Sequence, residues 1–88
     1  MRDENLSITY RHGRPLAAYS FAARGRARSH RTRELEPGLL VDFTRGGRPI
    51  GVEILDPKGT SLAALNRIMR TLGLRPLKRA DVRSLHAV

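Results

Sequence analysis

Between Pro37 and Pro57, apolar and polar residues alternate in two runs, PGLLVDF and PIGVEILDP, separated by Thr44 to Arg48 with Gly46-Gly47 inside. A period of two marks a half-buried β-strand, and a glycine pair between two such runs reads as a hairpin. With Gly46-Gly47 as the turn, Phe43 faces Ile50, Val41 faces Val52 and Leu39 faces Ile54. Those pairs share one face. Asp42, Thr44, Gly51 and Glu53 share the other, with Leu40 and Leu55 as exceptions.

Upstream, Leu6, Ile8 and Tyr10 alternate with Ser7 and Thr9, which predicts a strand. Pro15 to Ala22 is its return. With His12-Gly13 as the loop, Ile8 faces Ala17 and Leu6 faces Tyr19, so Tyr19 and Phe21 join the apolar side. Pro15 suits a strand start or an edge. Arg28 to Glu36 predicts a further, largely solvent-facing strand that ends at Pro37-Gly38, and Asp56-Pro57-Lys58-Gly59 is a turn. Thr60 or Ser61 then caps a helix in which Leu62, Leu65, Ile68, Met69 and Leu72 form one stripe, with Asn66, Arg67 and Arg70 outside it. Gly73 closes that helix. Arg79 to His86 predicts a short helix with Val82 and Leu85 as its apolar contacts.

A single helix this short is marginal in water, so its stripe must dock on the apolar face of the sheet. The expected fold is α+β: a small antiparallel β-meander of four or five strands over about 6–56, one C-terminal helix over about 61–72 packed on a face, and a tail from 74 to 88, all in a single domain. A chain of 88 residues has a thin core and a motive to self-associate.

The net charge is +9, unevenly spread. Residues 1–33 hold eight Arg against Asp3 and Glu4, residues 34–59 are net acidic, and residues 60–88 hold six basic residues against Asp81. Such a balance favours polyanions or an acidic protein partner. Fifteen of the seventeen basic residues are Arg amid plentiful Ala, Gly and Leu, which is also what a GC-rich coding sequence produces. There is no cysteine, hence no disulfide framework and no thiolate metal site; a reducing cytoplasm suits this composition. No apolar run approaches the roughly 20 residues of a membrane span. The opening MRDENLSITY has acids where a signal peptide would carry its apolar segment.

Four groups of residues are candidates for chemistry or binding. Arg24, Arg26, Arg28, Arg31 and Arg33, with His30, could contact successive phosphates on a polyanion; the competing reading is a solvated segment, since aromatic interleaving is absent. Tyr10, Tyr19 and Phe21 could supply stacking rings, but at strand spacing they read as core. Asp42 and Glu53 lie diagonally on one hairpin face, where paired carboxylates share a proton or bind a cation; a solvated face or a cross-strand ion pair is the alternative. No His, Ser or Lys is fixed beside them by a recognisable motif, so catalysis is not expected, and His12, His30 and His86 have no ligand spacing, so neither is a metal or cofactor. Leu40, Leu55, Leu74 and Leu77 could leave a second apolar patch open, as the interface of a symmetric dimer.

The run Pro37-Gly38-Leu39-Leu40-Val41-Asp42-Phe43, then Gly47-Arg48, then Ile50-Gly51-Val52-Glu53-Ile54-Leu55-Asp56 resembles a family of small bacterial β-rich domains of unknown function with the hallmark P-G-V-L-V-D-Y-D-x-D-G-x-V-V-G-I-E-I-L-D. Ala18-Tyr19-Ser20-Phe21 sits where that family has an upstream strand. The chain departs from the hallmark at Thr44-Arg45-Gly46, which replaces an acidic turn, at Pro49, and from Pro57 onward. Some members lie beside genes for small toxin-like proteins, so the resemblance implies an antitoxin-like role by analogy. The resulting expectation is a non-catalytic cytoplasmic interaction module, dimeric, with a small protein from an adjacent gene as its partner. The alternative is a nucleic-acid-binding protein using Arg24 to Arg33.

Overall fold

A computed structural model of the chain describes residues 6–21 and 28–87. Five strands, β1 (Leu6–Arg11), β2 (Arg14–Ser20), β3 (Arg31–Glu36), β4 (Leu39–Phe43) and β5 (Pro49–Ile54), precede one α-helix, α1 (Leu62–Thr71), and a 3-10 segment, Arg79–Ala87. The strands form one antiparallel sheet in the order β1-β2-β5-β4-β3. The expected α+β architecture is therefore the observed one. The β1-β2 hairpin and the β3-β4-β5 meander join where β2 pairs β5, which leaves β1 and β3 at the edges.

The β1-β2 hairpin has the register that alternation predicts, Leu6 opposite Tyr19 and Ile8 opposite Ala17. His12 and Gly13 both have positive φ, 55° and 78°, as a two-residue hairpin turn requires when its twist matches that of the strands. In the central hairpin, Leu39 opposes Ile54 and Val41 opposes Val52, as expected, but Phe43 opposes Pro49 and not Ile50. The loop is one residue longer than a Gly46-Gly47 turn. Thr44 N–H donates to the Arg48 carbonyl (2.9 Å), Gly47 N–H donates to the Thr44 carbonyl (2.9 Å), and Gly47 holds φ at 90°. The extra residue is absorbed by a bulge between Asp42 and Phe43, which leaves Ile50 half-buried outside the core. The deep pairs keep their register because their apolar side chains must share one face, while the exposed loop is free to take the geometry its glycine prefers.

That covered face carries Ala17, Tyr19, Leu39, Val41, Phe43, Val52 and Ile54, all buried, against Leu65, Ile68 and Met69 of α1. The helix starts at Ser61, whose hydroxyl accepts from Ala64 N–H at 3.0 Å. It ends with Gly73 at φ 73°: Gly73 N–H bonds the Arg70 carbonyl (3.1 Å) and Leu74 N–H bonds the Met69 carbonyl (2.8 Å), the paired bonds by which a left-handed glycine closes a helix. The tail then folds back. Leu77, Val82 and Leu85 complete the core. Asn66 holds the tail through both amide atoms, its Oδ1 accepting from Leu77 N–H (2.6 Å) and its Nδ2 donating to the Leu77 carbonyl (3.1 Å).

Candidate functional site

The helix and tail cover one face of the sheet; no other described residues cover the opposite face. Alternation places Ser7, Thr9, Arg11, Arg14, Leu16, Ala18, Ser20, Leu40, Asp42, Gly51, Glu53, Thr32 and Glu34 there, each opposite or diagonal to the next across the strands. A groove runs over the centre of this face, lined by Ser7, Ala18, Ser20, Asp42, Gly51 and Glu53. It exists because the residues at the β2–β5 crossing are small. Gly51 is required there: a Cβ on it would lie 2.6 Å from the Tyr19 carbonyl oxygen.

Asp42 and Glu53 meet on this face, as their diagonal placement predicts. Asp42 Oδ1 accepts from the Thr32 hydroxyl and, at 3.4 Å, from the Ser29 hydroxyl. The Glu53 pKa is raised above its ordinary 4.5, first by desolvation, then by the negative charge of Asp42 and by the hydrogen bond that a protonated Glu53 makes to it. The pair can therefore share a proton. Among the described residues no group of three or more His, Cys, Asp or Glu is placed to hold a metal ion.

The arginine segment is divided. Arg24 and Arg26 lie outside the described residues. Arg28 is exposed ahead of β3, and Arg31 and Arg33 are exposed on β3 opposite Phe43 and Val41, hence on the rim of the covered side. Arg31 lies over the Phe43 ring, 5.8 Å from its centroid. Arg45 and Arg48, in the β4-β5 loop, are exposed at the same end of the sheet. Of the rings named for stacking, Tyr19 is buried, Phe21 lies at the arginine end but packs against the core with its ring 6.2 Å from that of Tyr19, and Tyr10, 64% exposed, sits by the β1-β2 turn at the opposite end.

The four leucines expected to form one apolar patch do not share a surface. Leu77 is buried because the Asn66 clamp fixes its backbone against α1, and Leu74 packs on the core as the residue after the helix-closing glycine. Leu40, half-buried, is on the open face, and Leu55, 47% exposed, lies just beyond the end of β5. Leu16, beside Leu55 along one groove, completes a smaller apolar strip. Its rim on the sheet is acidic on one side, at Glu34, Asp42 and Glu53, and basic on the other, where Arg11 lines the same groove. Alternation with Ala17 already sets Leu16 on this face, but its place beside Leu55 depends on the pairing of β2 with β5, which is long-range.

One ion pair ties the sheet to the helix: Arg67 Nη2 lies 3.1 Å from Glu36 Oε1. It depends on the bulge between Glu34 and Glu36, which places Glu36 opposite Leu39 on the covered side. No helix among the described residues is long and apolar enough to cross a membrane. Comparison with family models, with curated proteins and with solved structures finds no match.

Proposed function

We propose that the chain is a small, non-catalytic, dimeric interaction module that acts in the cytoplasm and docks a partner protein on its open sheet face. One observation carries this reading: a five-stranded sheet has one face closed by its own helix and tail and the other, among the described residues, uncovered, with Leu16, Leu40 and Leu55 beside the Asp42–Glu53 pair. An apolar strip with carboxylates on one side and Arg11 on the other suits a partner that brings an apolar anchor and hydrogen-bonding groups. The resemblance of the central hairpin to domains lying beside toxin-like genes supports an antitoxin-like version, with the adjacent gene's product as the partner. The test is co-expression of the tagged chain with that product. Leu40→Lys with Leu55→Lys should lower co-purification at least about tenfold while circular dichroism stays unchanged, because anchors at an interface core dominate its energy. Unchanged co-purification would exclude the open face.

A second reading rests on Arg28, Arg31, Arg45 and Arg48 at one end of the sheet. If they bind nucleic acid, affinity for a short RNA or DNA falls steeply with salt, and Arg28→Ala with Arg48→Ala flattens that slope. No binding at low salt removes this reading.

A further inference from the structure

The two edges of the sheet are built differently. β3 carries Arg31, Arg33, Glu34 and Glu36 and a bulge before its end. Charges and bulges are the devices that stop an edge from pairing with another chain. β1 carries a single charge, Arg11 at its turn end; from Leu6 to Tyr10 it has no charge, no proline and an unbroken register with β2. The backbone groups that β1 does not share with β2 can be assigned. In an antiparallel pair, residues that exchange both hydrogen bonds alternate with residues that exchange none. Pro15 has no N–H, so Tyr10 and Pro15 form a non-bonded pair, and alternation makes Ile8–Ala17 and Leu6–Tyr19 non-bonded too. The N–H and C=O groups of Leu6, Ile8 and Tyr10 therefore point away from β2, toward the open edge.

We infer that this edge pairs with the same edge of a second copy, antiparallel about a two-fold axis at Ile8, so that one sheet runs through the dimer. The inference rests on the dimeric part of the reading above and gives it a surface. Centred at Ile8, the register opposes Ile8 to Ile8, and Leu6 of each copy to Tyr10 of the other. Every outward backbone group from Leu6 to Tyr10 then meets an outward group. A shift of one residue would set outward groups against inward ones, and a shift of two would leave an overhang. The side chains agree with the backbone. Leu6 against Tyr10 is a favourable aliphatic–aromatic pair and covers the most exposed apolar ring of the described residues, while Ser7 against Thr9 pairs hydroxyls on the open face. A two-fold contact must be self-complementary, and LSITY is; this register is the one that pairs all five residues.

The chain has no cysteine, so a single introduced thiol reports one contact. Ile8→Cys places two thiols across the axis with Cα atoms about 5.5 Å apart, within disulfide reach. Sedimentation equilibrium should show a wild-type dimer, and mild oxidation should crosslink Ile8→Cys but not the opposite-edge control, Thr32→Cys. Tyr10→Lys, at a mostly exposed position, should keep the fold by circular dichroism and raise the dimer dissociation constant about tenfold, since the Leu6–Tyr10 contact is lost twice per dimer. A monomeric wild type, equal crosslinking at both edges, or an unchanged dissociation constant in Tyr10→Lys would overturn the inference. A monomer that still co-purifies with the adjacent gene's product would overturn it and leave the docking reading standing. A β1-linked dimer that captures nothing would do the reverse.

Discussion

Gly51 is buried at the point where β5 runs between β2 and β4, opposite Ser20 on one side and Asp42 on the other. Its φ is not in the left-handed region, so what it supplies is closeness and not an unusual backbone. The obstacle to a larger residue is the Tyr19 carbonyl, which is backbone and cannot swing aside. Gly51→Ala should therefore cost about 1–3 kcal/mol, the range for overpacking a site that cannot relax, measured by urea unfolding. A variant as stable as the parent would mean that the two strands can separate slightly at no cost. Two strand positions away, Glu53 makes a second testable claim. Its folded pKa is raised, so the folded state holds a proton there more tightly than the unfolded chain does. That contribution is fully present below the unfolded value of 4.5 and is lost as pH rises through the folded value. Glu53→Gln should flatten this fall in stability, and Asp42→Asn should return the Glu53 carboxyl toward its ordinary value in an NMR titration. An unmoved Glu53 midpoint in Asp42→Asn would show that burial alone raises it.

The helix and the tail are coupled elements. α1 reads clearly in the sequence because its signals are local: a serine cap, a stripe at helical spacing and a closing glycine. The 3-10 segment has no such independence. Val82 lies outside helical geometry (φ −128°, ψ 31°), so its order comes from outside: burial of Val82 and Leu85, the Asn66 clamp at Leu77, and the His86 ring N–H bonded to the Thr60 carbonyl. Asn66→Ala removes two hydrogen bonds and leaves both backbone groups of Leu77 without their partner. It should cost about 1–3 kcal/mol, and the Leu77 amide should exchange with solvent much faster. Unchanged exchange at Leu77 would show that apolar packing alone holds the tail. Ser61→Ala should cost about 1 kcal/mol through the lost cap, without freeing the tail.

For the molecule as a whole, charge is the dominant surface property. Seventeen basic residues face eight acidic ones, and among the described residues a single ion pair, Arg67–Glu36, is formed. Most of the excess charge is thus uncompensated and repels itself, which weakens the compact state. Added salt screens that repulsion, so the melting temperature should rise between about 10 and 150 mM salt, over which the Debye length falls from about 30 to 8 Å. A melting temperature that falls with salt would mean that favourable pairs outweigh the repulsion. The distribution also matters: the described basic residues lie at the ends and rim of the sheet and on the helix and tail, whereas the centre of the open face is acidic around Asp42 and Glu53. Binding of a polyanion and docking of a protein would therefore use different parts of the surface, and substitutions in one should leave the other intact.

Periodicity alone was enough for the strands, the helix, both hairpins and the deep register, because each depends on residues a few positions apart whose side chains must reach one face. It was also enough to set Asp42 beside Glu53, since both lie on one hairpin. It misplaced Phe43 by one partner, because a loop glycine and a compensating bulge cancel along the chain and leave the pattern on either side unchanged. The sheet order, the edge position of β1, the division of the four leucines and the Asn66 clamp were settled in three dimensions. Each depends on which distant segment arrives next to which, and that follows from how the whole core packs, through contacts that leave no period in the sequence.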